Sequence, residues 1–186
     1  MIFQIVSLLL DIACGLFTAA CLLRLYMQMQ RISFANPVGQ LVFALTDWLV
    51  IPLRKLVPSA GRWDLSCLIG AFLGQLAQYL ILSLFVGAGA AFAFAPLMAV
   101  FGVARAAVSG MMGLVIINAI LSWVQSRSPI TTVLERLCEP VLRPIRRVVP
   151  LLGGIDFSPL VALVVLQVLM IVLQHLQASV LSIAAA

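Results

Sequence analysis

Residues 128–158 read SPITTVLERLCEPVLRPIRRVVPLLGGIDFS, and residues 36–66 read NPVGQLVFALTDWLVIPLRKLVPSAGRWDLS. The two stretches align without a gap at a constant offset of 92 positions. Pro37 pairs with Pro129, Leu45 with Leu137, Pro52 with Pro144, Arg54 with Arg146, Val57 with Val149 and Pro58 with Pro150. Gly61 pairs with Gly153, Asp64 with Asp156 and Ser66 with Ser158, while Asp47 stands opposite Glu139 and Lys55 opposite Arg147. A gapless match at one offset marks an internal duplication. The chain is therefore expected to be two copies of one unit, residues 1–95 and 96–186.

Each copy is flanked by long apolar runs. Hydrophobic residues make up 64% of the chain and charged residues 9%, against roughly 45–50% and about 25% in soluble domains. A span needs about 20 mainly apolar residues. Four runs qualify: 2–26, interrupted by Asp11 and closed by Arg24; about 65–85; about 97–123; and about 159–183. The second and third are divided by Gly87, Gly89 and Pro96, which are read as breaking one long apolar stretch. Met1 to Leu10 contains no Lys or Arg, so no signal peptide is recognised and the first run is expected to be kept as a span.

Nine of the eleven basic residues lie in the two long connections. They are Arg31, Arg54, Lys55 and Arg62 in the first, and Arg127, Arg136, Arg143, Arg146 and Arg147 in the second. The positive-inside rule puts both connections in the cytoplasm and both termini outside. The expected fold is an all-α membrane protein. It has four transmembrane helices in two tandem parallel repeats, related by a pseudo-two-fold axis along the membrane normal.

Within the second connection, Ile130, Val133, Leu134, Leu137 and Val141 share one helical face, and Thr131, Thr132, Glu135, Arg136 and Glu139 the other. Ser128 and Asn36 can cap such helices, with Pro129 and Pro37 in first position. Pro140 is expected to end the second helix and leave a short basic element, Leu142 to Pro150, whose twin is Ile51 to Pro58. The amphipathic segments 36–58 and 128–150 are expected to lie in the interface, drawn to anionic headgroups by Arg54, Lys55, Arg143, Arg146 and Arg147. The first is more apolar, through Leu41, Val42, Phe43, Leu45, Trp48 and Leu49, so it either dips deeper or is covered by protein.

The twice-written pattern resembles the YggT (YlmG) family of small integral membrane proteins. The residues that carry the resemblance are Ser128-Pro129, Glu139 to Arg147, Pro150 and Gly153 to Pro159. The first copy departs from it at Trp48, Ile51 and Arg62-Trp63. The resemblance implies a multi-pass protein of the bacterial cytoplasmic (inner) membrane. It also implies loose links to membrane-complex assembly, membrane or nucleoid organisation and osmotic tolerance, with no agreed reaction.

Ionisable groups inside a bilayer are costly and usually partnered. Asp11 and Arg105 lie at nearly equal depth in the first and third spans and are expected to form an ion pair across the repeat axis. Gln75 and Gln167, related by the same offset of 92, lie near the midplane with Gln78 and Gln174 extending their faces. They read as interhelical hydrogen-bonding groups, or else as a polar cluster between the repeats. Gly70 and Gly74, and Gly102, Ala106 and Gly110, recur every four positions and suit close helix packing.

Nothing suggests catalysis. No nucleophile motif, phosphate-binding glycine loop or acidic metal cluster is present. The four cysteines (Cys14, Cys21, Cys67, Cys138) show no metal-ligand spacing and read as small apolar packing residues. The single histidine, His175, cannot supply bis-His haem ligation. Asp64 and Asp156 read as helix caps before spans. A non-enzymatic assembly or membrane-organising role is therefore expected, with no cofactor and no metal. The alternative is a small transporter or ion-handling protein using Asp11, Arg105, Gln75 and Gln167. The expected partners are anionic lipid and a membrane protein or second copy of the chain; nucleic acid is not expected, because the basic patches are short.

Overall fold

The computed structural model describes residues 2–56, 64–86, 89–123, 128–148 and 156–184. Within these the chain is helical and contains no strand. The elements are α1 (Ile2–Met29), α2 (Pro37–Leu56), α3 (Leu65–Val86), α4 (Gly89–Trp123), α5 (Pro129–Arg146) and α6 (Ser158–Ala184). Arg62, Arg127, Gly87 and the paired positions Val57/Val149, Pro58/Pro150 and Gly61/Gly153 fall outside the described residues.

Four helices are long and apolar enough to cross a membrane, over Phe3–Met29, Leu65–Phe85, Phe92–Ser122 and Ser158–Ser182. Their apolar exteriors fit a lipid solvent. Leu8, Leu9 and Ile12 on α1 are exposed, as are Leu160, Val164, Val165 and Val168 on α6. In a bilayer a helix is favoured because it satisfies its own backbone hydrogen bonds.

That requirement corrects one boundary. Helix α4 starts at Gly89 and its span at Phe92, not near Leu97, and Pro96 lies inside both. A proline deletes one backbone hydrogen bond, whereas unwinding the first two turns in an apolar medium would strip several.

A second correction concerns Pro140. Helix α5 does not end there but runs through Pro140 and Pro144 to Arg146. Both prolines lie on the exposed face, as does Arg136, whose carbonyl loses its helical partner at Pro140. The opposite face is held by packing on both sides of the break: Leu134, Leu137, Cys138 and Leu142 are all buried. Helix α2 likewise continues past Pro52 to Leu56, so the basic elements are the last turns of these helices, not separate segments.

The helix starts obey the expected chemistry. Asn36 Oδ1 accepts from Gly39 N at 2.8 Å, and Ser128 Oγ from Thr131 N at 3.3 Å. Helix α1 ends in a Schellman motif, with Ile32 N bonded to Met27 O at 3.0 Å and Arg31 N to Gln28 O at 3.1 Å. Arg31 takes the left-handed position at φ 54°. Met27 and Ile32 meet beneath the turn in one apolar cluster.

Along the spans α1 packs on α3, α3 on α4 and α4 on α6, with α1 also touching α4. Helix α2 covers α1 and α3, and α5 covers α4 and α6. The two short helices bury matching positions at the offset of 92: Val42 and Leu134, Thr46 and Cys138, Val50 and Leu142. Helix α1 packs on α3 as α4 packs on α6, but α6 is not paired with α1 as α3 is with α4. No comparable α1–α6 packing forms. The halves are joined by α4 against α3 and α1, and also at the foot of α1, where Met27 and Ile32 pack on Val133 and Leu137 of α5 and Tyr26 Oη donates to Leu137 O at 2.9 Å.

Candidate functional site

The five basic residues singled out at the ends of α2 and α5 divide into two groups. Arg54 Nε donates to Asp64 Oδ2 at 3.0 Å, and Nη2 bonds to the same oxygen. Arg146 Nε donates to Asp156 Oδ2 at 2.9 Å. Both pairs span ten residues and clasp the end of the short helix to the start of the following span. Lys55, Arg143 and Arg147 are exposed and form no ion pair among the described residues.

Asp64 and Asp156 are therefore more than caps. Asp156 does cap α6, its Oδ1 accepting from Ser158 N at 2.9 Å. Burial by itself would raise the Asp64 carboxyl pKa; the hydrogen bonds from Arg54 and Gln28 outweigh it and hold the group below its ordinary value. Asp156 is lowered in the same way, with desolvation opposed by Ser158 and Arg146.

Beside the first clasp lies a cation that the sequence reading treated only as the end of a span. Arg24 is 2% exposed. Its Nη1 donates to Thr46 Oγ1 and Asp47 Oδ1, both at 2.7 Å, and its guanidinium lies 4.6 Å from the Phe43 ring centre. This anchors α2 to α1 and turns Trp48, 68% exposed, outward beside Phe17. Position 116, where the offset of 92 would place a second such arginine, is Ile116.

Helix α5 contrasts with α2. Its apolar stripe from Val133 to Leu142 is covered by this chain, with Ile130 at its start exposed, and its outward face carries Glu135, Arg136, Glu139, Arg143 and Arg147. The apolar side of this helix thus packs on protein from Val133 onward. On α2 the outward side is apolar, with Leu41, Trp48 and Ile51 exposed.

Deeper in the spans, α1, α3 and α4 line an open cavity of about 440 Å³, with Met170 of α6 at its edge. Asp11 and Arg105 both line it but do not pair with each other, contrary to expectation. Each is held instead by consecutive residues of α3. Gln78 Nε2 donates to Asp11 Oδ1, and Arg105 Nη2 donates to Tyr79 Oη at 2.6 Å. Equal depth brought the charges to one level, while helix rotation aimed each at α3. Gln75 also lines the cavity, donating to Thr18 Oγ1 at 3.2 Å. Gln167 does not join it: that side chain is exposed on α6, as is Gln174. Tyr79 was missed, although Gln75, Gln78, Tyr79 and Leu82 follow the spacing of one helical face.

Gly102 permits this arrangement. A Cβ there would run into Gln75 Oε1 and lie 2.9 Å from Gln75 Cδ and 3.2 Å from Tyr79 Cε2. Gly102→Ala is expected to cost about 1–3 kcal/mol through overpacking and to break the Gln75–Thr18 bond. Thermal unfolding in detergent, compared with Thr18→Val and the double variant, checks this. The two changes should be markedly less than additive.

With the geometry described, the chain can be set beside known proteins. The family model described as CCB3/YggT matches residues 3–85 and 97–177. The chain belongs to the CCB3/YggT family. A protein named YggT from Escherichia coli strain K12 is 36% identical over 169 residues, covering 88% of this chain and 86% of its own length. A protein from Vibrio alginolyticus, described by its place in the proC 3′ region, is 35% identical over 167 residues, covering 87% and 89%. No solved structure matches. Each matched YggT stretch contains one Arg–Asp clasp, Arg54–Asp64 in the first and Arg146–Asp156 in the second.

Proposed function

We propose that this YggT-family chain is a non-enzymatic assembly or organising protein of the bacterial inner membrane, and that it works through the outward face of α5. The observation that carries the reading is the division of labour on that helix. Its apolar stripe from Val133 to Leu142 packs on α1, α4 and α6, and Arg146 is engaged by Asp156. Glu135, Arg136, Glu139, Arg143 and Arg147 are all exposed and are not needed to hold the helix. A rigid helix with satisfied packing and free charges of both signs suits electrostatic recognition of a partner's surface, with Lys55 and the exposed arginines adding attraction to anionic headgroups. On this reading the chain is two tandem YggT units with interfacial helices α2 and α5, basic ends in the cytoplasm and both termini outside. The equivalent clasps support the tandem arrangement, and the distribution of Lys and Arg supports the orientation.

The test is Arg143→Glu with Arg147→Glu in a tagged chain purified natively from its membrane. The variant is expected to insert and elute as wild type does, yet to lose a stoichiometric companion or its normal localisation. Unchanged companions and localisation would count against the proposal. Arg146→Glu is a poor choice for this purpose because it also opens the clasp.

A further inference from the structure

The cavity lined by α1, α3 and α4 has no part in the role proposed above, yet its wall is chemically uneven. Arg105 is a cation within a span, and among the described residues its only hydrogen bond goes to the Tyr79 hydroxyl. A guanidinium carries five N–H donors, so most of its capacity is directed elsewhere. Asp11 is a carboxylate side chain in a facing span, and among the described residues its only hydrogen bond comes from the Gln78 amide. Gln78 is 6% exposed, and its Oε1 is buried without a hydrogen-bond partner. One side of the cavity thus has donors and positive charge in excess, and the other has acceptors and negative charge in excess.

Isolated charges at this depth are unfavourable unless something neutralises them. The two do not neutralise each other by contact. A simple anion drawn to Arg105 would share the cavity with the Asp11 carboxylate, and a simple cation drawn to Asp11 would share it with the guanidinium. A ligand carrying both charges meets neither penalty. We propose that the cavity is a binding site for a zwitterion, with its anionic group against Arg105 and its ammonium against Asp11 and Gln78 Oε1. The volume of about 440 Å³ lies within the range of roughly 300–1,000 Å³ common for ligand pockets. Ser109 lines the same wall and Met170 stands at the α6 edge. That chemistry is offered by a free amino acid and by the phosphoethanolamine headgroup of a lipid. The weak packing between α1 and α6 leaves a side by which either could enter.

The experiment uses the full chain in a non-ionic maltoside detergent and in nanodiscs. Glycine, glycerophosphoethanolamine and the anion-only glycerol phosphate are titrated calorimetrically in detergent. Native mass spectrometry reads retained lipid from discs of phosphatidylethanolamine or phosphatidylglycerol. Saturable binding of a zwitterionic probe is expected, with glycerol phosphate weaker. Arg105→Gln and Asp11→Asn should each weaken the zwitterion about tenfold or more. Ala106→Leu, which intrudes into the cavity and leaves both charges in place, should weaken binding about tenfold or more and covers the case in which a charge variant fails to fold. Retention of phosphatidylethanolamine with no response to glycine supports the lipid source, and glycine binding without lipid preference supports the free solute. Absence of saturable binding by any zwitterion, lipid included, would overturn the proposal. So would binding untouched by Ala106→Leu, or glycerol phosphate binding as tightly as the zwitterions.

Discussion

Asp47→Leu is expected to destabilise the protein by about 3 kcal/mol, at the low end for a broken buried ion pair because Asp47 itself is 40% exposed. The cost lies on the arginine left behind. Arg24 is 2% exposed and would keep, among the described residues, the Thr46 hydroxyl as hydrogen-bond partner and the Phe43 ring face as a cation–π contact. An uncompensated cation in that setting either stays desolvated or drags α2 away from α1 to reach water. Arg24→Met combined with Asp47→Leu removes both charges and fills the space with apolar atoms, so the double variant should recover most of the loss. Thermal unfolding of the four proteins in detergent gives the cycle. If Asp47→Leu alone costs under about 1 kcal/mol, Arg24 is solvated by another route and α2 is held by its apolar contacts alone.

This anchor also shows where sequence reading reached its limit. Hydropathy is a local property, so the four spans were legible to within a few residues except at Gly89, where solvent decides what a proline does. The caps Asn36 and Ser128 were legible because capping acts over three residues. Arg24 was not, because its partners Thr46 and Asp47 lie 22 and 23 positions away on another helix. The depth of Asp11 and Arg105 was readable from counting along helices, but their rotation about the helix axes was not. That rotation decided that they bond to Gln78 and Tyr79 instead of each other.

Gln167 makes the same point from the opposite side. It occupies the position equivalent to Gln75 at the offset of 92, yet Gln75 is buried and Gln167 exposed. Positions at the offset of 92 share their burial on α2 and α5. They do not share surroundings. Helix α3 sits between α1 and α4, whereas α6 has only α4 among the spans packed against it.

The two Arg–Asp clasps provide the sharpest test of that distinction, since equal sequence predicts equal effect and unequal burial does not. The Asp64 side chain is 4% exposed and that of Asp156 is 28% exposed. Asp64 accepts from both Arg54 and Gln28, while Arg146, itself 52% exposed, is the sole cation on Asp156. Asp64→Asn is therefore expected to cost about 1–3 kcal/mol, and Asp156→Asn under about 1 kcal/mol. The pH dependence has a fixed sign. Both carboxyls are held below their ordinary values in the folded chain. Their stabilisation is then complete at and above the ordinary carboxylate range, near about pH 4, and is lost as pH falls through the depressed folded values. Unfolding followed downward from pH 6 in detergent should show wild type losing stability on the acid side, with most of that loss absent in Asp64→Asn and little changed in Asp156→Asn. Equal effects from the two substitutions would mean that the shared Arg–Asp chemistry, and not the burial of Asp64, sets the strength of the clasp.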